Sequence, residues 1–317
     1  MAKRDEKKRM RLDDAARAAW LYYVARNSQD EIAKKMCISR QSVQRLISLA
    51  MQENLIKFRL DHPVASCMEL AQQIKDQYGL SFCKVTLSDP TSEDPALGIA
   101  EVAATRMERY FKTESSIVMA LGTGREIREA VKKLPPMNCP QHKVVSLVGT
   151  LAPDGSASFN DVIMRIGDII KAPHHPMAVP VVATSSKERD IICAQKPIQS
   201  NIELAQSADI AFIGIGEIND SPPLLTDGFI TQKELNGLIS AGAVGEIVGW
   251  AFDKDGVLID GLTNSRVASV PLSQPPSYPV IGVARGNNKL QAIRGALAGQ
   301  WISGLITDEA TAKALIT

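Results

Sequence analysis

Apolar positions recur at two different periods along this chain, and the change of period divides it. Between Ile32 and Ala50 the spacing is helical, with Ile32, Ala33 and Met36 on one stretch and Val43, Leu46, Ile47 and Ala50 on the next. Beyond about residue 79 the apolar residues come in short unbroken runs, as strands covered on both faces require. The first pattern predicts a pair of short helices. The second predicts a doubly wound α/β domain in which parallel strands alternate with helices.

Local signals place the ends of these elements. Ser28 and Glu31 have the spacing of a capping box, Cys37-Ile38 makes a short turn, and Ser39 can cap the following helix. A preceding helix over about 13–26 offers Ala16, Ala19, Trp20 and Tyr23 as a packing face. Leu55-Ile56-Lys57-Phe58 reads as a short strand ended by Asp61-His62-Pro63. A bridging helix follows over 64–78, with Leu70, Ile74 and Tyr78 on one face and Gly79 as its stop. Residues 1–60 therefore form a head and 61–317 a body. In the body, strands are expected over 116–121, 144–148, 178–183, 210–215, 247–252, 280–284 and 302–306. Helices are expected over 126–133, 161–170, 198–206, 232–241 and 289–298.

Charge sharpens the division. The head carries 14 Lys+Arg against 7 Asp+Glu, a net of +7, whereas the whole chain is +1 and the body therefore −6. DNA would attract the head and repel the body. The second head helix leaves Ser39, Arg40, Gln41, Ser42, Gln44 and Arg45 available on its polar side and start, a donor-rich set suited to the major groove of double-stranded DNA. The segment from Lys3 to Arg11 reads as a flexible arm adding phosphate contacts, or as a solvating tail. No apolar run approaches ~20 residues, so neither a membrane span nor a secretory signal is expected. The five cysteines stand singly without metal-ligand spacing, which suits a reduced, cytoplasmic protein.

In a parallel sheet, ligands bind at the carboxyl ends of strands, so the turns there are the candidate chemistry. Gly122-Thr123-Gly124-Arg125-Glu126 joins a strand to a helix start, where glycines admit a ligand to the backbone. Gly216 and Glu217 end a second such turn, and Arg285 and Lys289 flank a third. Neither of these is a dinucleotide-binding fingerprint. Arg125, Arg285 and Lys289 favour a phosphate; their pairing with Glu126, Glu217 or other carboxylates would leave a neutral polyol site. Asp253 completes the candidate effector set, although Asp253-Lys254-Asp255-Gly256 itself reads as a tight turn and not a calcium loop. His174-His175 reads as a loop beside Pro176. There is no nucleophile-and-base motif, and no metal or cofactor is expected.

These residues resemble the SorC-type sugar-responsive transcriptional regulators of bacteria over nearly the whole chain. Residues 28–36 (SQDEIAKKM) and 38–47 (ISRQSVQRLI) look like the family's DNA-binding motif. Segments 208–216 (ADIAFIGIG), 242–253 (GAVGEIVGWAFD), 262–266 (LTNSR) and 306–315 (ITDEATAKAL) look like its effector domain. The resemblance implies a winged-helix-like head and a Rossmann-like domain similar to ribose-5-phosphate isomerase and glucosamine-6-phosphate deaminase, acting as a sensor and not an enzyme. It implies a homo-oligomer, commonly a tetramer, with a sugar, polyol or sugar-phosphate effector held near the 122–126 and 286–289 turns. Two residues depart from the pattern: Cys37 replaces a glycine of the DNA-binding turn, and Arg285 stands where a small residue is common. The alternative is an isomerase- or deaminase-like enzyme with a DNA-binding head.

Overall fold

A computed structural model describes residues 2–53, 55–56, 63–88, 97–152, 155–156 and 162–316. It divides into two compact units, Met1–Asp61 and His62–Thr317.

The first unit holds α1 (Ala2–Tyr23), α2 (Gln29–Met36) and α3 (Arg40–Gln52). The expected arm is part of α1. No proline or glycine interrupts the first sixty residues, so the sequence holds no helix breaker there. The buried face of α1 is Ala15, Ala18 and Ala19, whereas Ala16, Trp20 and Tyr23 are exposed. Alanine wins over the aromatics because small side chains let α1 approach α3 closely. Ala15 and Ala19 meet Ala50, and Ala18 joins Ile32, Val43 and Ile47. The capping box forms as expected: Ser28 N–H donates to Glu31 Oε2 at 2.7 Å, and Glu31 N–H donates back to Ser28 Oγ at 3.3 Å. Cys37 ends α2 in the left-handed region, at φ 55°. Leu55 and Ile56 are irregular, and the remainder of the expected strand, Lys57-Phe58, lies outside the described residues.

The second unit begins with α4 (Pro63–Tyr78), β1 (Phe82–Thr86), α5 (Leu97–Phe111), β2 (Val118–Leu121), α6 (Arg125–Lys132), β3 (Lys143–Leu151), α7 (Ile163–Ile170) and β4 (His174–Pro180). It continues with α8 (Ser186–Cys193), α9 (Lys196–Gln206), β5 (Ile210–Gly214), β6 (Gly216–Glu217), α10 (Pro223–Thr226), α11 (Gln232–Ser240), β7 (Ala243–Ile247) and β8 (Trp250–Asp253). It closes with β9 (Val280–Val283), α12 (Leu290–Ala298), β10 (Gly304–Asp308) and α13 (Glu309–Ile316). Seven strands form one sheet in the order β1-β10-β9-β5-β2-β3-β4, every pair parallel. Its central strands are buried on both faces. Ala120, Ala211 and Val280 enter one core, and Met119, Phe212 and Ile281 enter the other.

The structure corrects several expected elements. The strand expected over 247–252 is a hairpin: β7 and β8 pair antiparallel about Val248-Gly249, both at positive φ, with β6 as the third strand of this small sheet. One unbroken apolar run concealed the turn. His174 and His175 open β4 instead of sitting in a loop. Strand β1 and helices α5, α8 and α13 had no sequence expectation. The first residue of the helix expected from 161 lies outside the described residues.

Within the resembling segment 262–266, Asn264 is buried and serves the fold. Its Nδ2 donates to the carbonyls of Ala251 and Ile259 at 2.8 and 2.7 Å, while Oδ1 accepts the Ala251 N–H at 2.8 Å. Each buried group left without a partner costs on the order of 1–3 kcal/mol. Asn264→Ala should therefore lower unfolding stability by about 2–4 kcal/mol, read from chemical denaturation. A change below about 0.5 kcal/mol would deny Asn264 this role.

Candidate functional site

The strand order reverses between β2 and β5. From β2 the chain builds outward through β3 and β4, then returns to place β5 on the other side of β2. Such a reversal opens a crevice at the carboxyl ends of the two strands. Two turns meet there because of a missing side chain: a Cβ on Gly214, at the end of β5, would lie 2.5 Å from the Thr123 carbonyl oxygen. Gly124, at φ 130°, turns the chain into α6 without giving that helix a side-chain cap.

The crevice contains a cavity of about 230 Å³. All three candidate turns reach it: Thr123, Gly124, Arg125 and Glu126 after β2, Gly216 and Glu217 after β5, and Arg285 and Lys289 after β9. Two of the expected residues do not line it. Gly122 is packed behind the turn, its N–H donating to the Phe212 carbonyl at 2.8 Å. Asp253 spends its Oδ1 on the N–H groups of Asp255 and Val257, at 3.0 and 2.9 Å, closing the tight turn after β8. Asn288, within the expected 286–289 turn, lines the cavity as well; sequence reading missed Glu246 from β7 and an apolar wall of Val181, Leu224 and Phe229. These reach the cavity through the hairpin and loops, which no local pattern announces.

Carboxylates occupy much of the wall. Lys289 Nζ lies 3.3 and 3.4 Å from the Glu126 oxygens, and both side chains are largely buried. Glu217 is only 9% exposed; Asn288 Nδ2 donates to its Oε1 at 2.9 Å, and its Oε2 has no partner among the described residues. Glu246 rests against Gly216, where a Cβ would fall 2.0 Å from its Oε1, and its Oε2 accepts the Gly249 N–H at 2.7 Å. Burial pushes the Glu246 carboxyl above the ordinary value and Glu217 adds to the rise, against the Gly249 hydrogen bond and Lys289. Arg285 Nε is buried with no partner among the described residues, whereas Arg125 is exposed. No group of three potential metal ligands occurs among the described residues.

In the first unit, α3 exposes Arg40, Gln41, Gln44 and Arg45. Ser39 caps the helix by accepting the Ser42 N–H at 3.2 Å, and the two hydroxyls lie 2.9 Å apart. The cap ties Ser42, which is half-buried, to the helix start. Arg40 sits 3.5 Å from Asp30, both mostly exposed, so little free energy opposes its release to another anion. No described helix is long and apolar enough to cross a membrane.

Residues 62–317 match the family model described as "Putative sugar-binding domain". The chain is 30% identical over 302 residues to the erythritol catabolism regulatory protein EryD of Brucella abortus, covering 95% of this chain and 96% of that one. It is 26% identical over 307 residues to the transcriptional regulator LsrR of Klebsiella pneumoniae, covering 95% and 92%. The fold matches the full-length sorbitol operon regulator SorC of Klebsiella pneumoniae at a TM-score of 0.71, with 23% identity, 96% of this chain and 99% of that one.

The raised Glu246 carboxyl sets a pH dependence. Below the ordinary carboxylate range both folded and unfolded chains hold the proton, and burial costs nothing. As pH rises through the higher folded value, the fold must bury a charge and loses stability. Glu246→Gln, which keeps an acceptor for Gly249, should melt with the wild type near about pH 4 and above it at neutral pH. Thermal melts across that range check this, and equal melting temperatures at about pH 7.5 would contradict it.

Proposed function

The chain belongs to the SorC-type family of sugar-responsive transcriptional regulators, and on that premise we propose that it is a DNA-binding regulator of carbohydrate or polyol uptake or catabolism genes. In this reading residues 1–60 bind double-stranded operator DNA, and residues 61–317 hold the effector and assemble the homo-oligomer, a tetramer on the family resemblance. The same resemblance relates the body to the isomerase and deaminase fold, used as a sensor. The observation that carries the reading is the exposed face of α3. Arg40, Gln41, Gln44 and Arg45 stand together on a capped helix, on a unit whose residues 1–60 have a net charge of +7 (14 minus 7). Long donors in that array suit base edges, and the surrounding cations suit phosphates.

The effector would act through the cavity at the strand reversal. Its lining comes from turns near residues 123–126, 216–217 and 285–289, so one ligand touches three strand ends at once. A ligand that fits one arrangement of the oligomer better than another shifts their populations by its difference in affinity, and with them the placement of the heads. The 30% identity to an erythritol catabolism regulator supports a polyhydroxylated effector.

Genomic fragments retained by the wild-type protein provide the substrate for a test. Arg40→Ala, Gln41→Ala and Arg45→Ala should each weaken binding to a selected fragment by ~1–3 kcal/mol per lost base contact, measured by mobility shift at fixed salt. Unchanged affinity in all three variants would remove α3 from recognition.

A further inference from the structure

We propose that the cavity is built for an un-ionised polyhydroxylated ligand, a free polyol or sugar, and discriminates against phosphate esters, with Glu217 and Arg285 reading hydroxyl groups. The proposal rests on the reading of this cavity as the effector site and narrows it to one chemical class.

The inventory of groups around the cavity is the first ground. Among the lining groups that are not exposed, Glu126, Glu217 and Glu246 face Arg285 and Lys289, so carboxylates outnumber cations there; Asp227 and Arg125 are both exposed. The cations are also unequal in what they offer. Lys289 is engaged by Glu126, and Arg125 is exposed, where water and salt weaken its field. A phosphate entering here would have to draw Lys289 from its carboxylate and lie beside Glu217 and Glu246. Like charges in a partly dry site repel strongly.

The second ground is the pair of unsatisfied atoms. Glu217 Oε2 is a buried acceptor without a partner among the described residues, and Arg285 Nε is a buried donor without one. A hydroxyl both donates and accepts, so it suits both requirements. A phosphate dianion satisfies the donor and repels the carboxylate. An ammonium group does the reverse. Chains of adjacent hydroxyls are the ligand class that offers both functions without net charge. The apolar wall of Val181, Leu224 and Phe229 suits the carbon side of such a molecule.

The test compares matched probes on the full chain by calorimetry and thermal shift. These are erythritol, ribitol and sorbitol, their terminal phosphate esters, and glucamine, the amine counterpart of sorbitol. At least one free polyol should bind and raise the melting temperature, with its ester at least about tenfold weaker. Glu217→Gln should weaken the polyol about tenfold and narrow the gap to the ester, because it removes the repelling charge along with one strong acceptor. That narrowing separates recognition from a loss of fold, which would weaken both ligands together. Arg285→Gln, weakening the polyol with an unchanged unliganded melting temperature, provides the second variant. An ester or glucamine that binds more tightly than every free polyol would overturn the proposal and leave the effector site standing. Failure of every probe to bind the folded chain would overturn both.

Discussion

One backbone contact sets the geometry of the cavity. The Thr123 carbonyl presses onto Gly214 so closely that a Cβ there would meet it at 2.5 Å. This lets the turn after β2 abut the end of β5 at the point where the strand order reverses. The parallel sheet then brings the turn after β9 to the same end, because neighbouring parallel strands all finish on one side. The glycines of these turns therefore have a packing role before they have any role toward a ligand.

Electrostatics builds on that frame. Lys289 spans from the turn after β9 to Glu126 at the start of α6, so a buried ion pair bridges the crevice. Ion pairs of this kind add little net stability, but removal of one partner leaves the other charged and dry. Glu246 enters from the small antiparallel sheet and takes its place because Gly216 opposite it has no side chain. The crevice thus has polar groups that check one another's charge, and two buried atoms, Glu217 Oε2 and Arg285 Nε, that have no partner among the described residues.

What could be read from the sequence follows the range of the interactions. Ser28, Glu31 and Ser39 act on residues three positions away, and the caps appear where the sequence predicts them. The turns after β2, β5 and β9 were legible because glycine beside charged residues at a strand end is also a local pattern. The face of α1 was partly misjudged: Ala19 is buried as expected, but Trp20 and Tyr23 are exposed, and Ala15, Ala18 and the partly buried Leu21 pack in their place. The β7–β8 turn at Val248-Gly249 was hidden because tertiary packing holds valine at a positive φ that its own preference opposes. Glu246 joined the site through its pairing with Gly216, which no spacing encodes. The cations Arg125, Arg285 and Lys289 were legible as residues of the turns, whereas the 3.3 Å approach of Lys289 to Glu126 depends on the fold.

Cys37 has a further use. It occupies the left-handed end of α2, just ahead of the Ser39 cap, and it is the exposed member of five free cysteines. Burial raises the thiols of Cys67, Cys83, Cys139 and Cys193, with Cys83 pushed up to about 12, so they react slowly as nucleophiles at neutral pH. A maleimide fluorophore would therefore attach first beside α3, giving the natural chain an optical reporter at the start of that helix without an engineered residue.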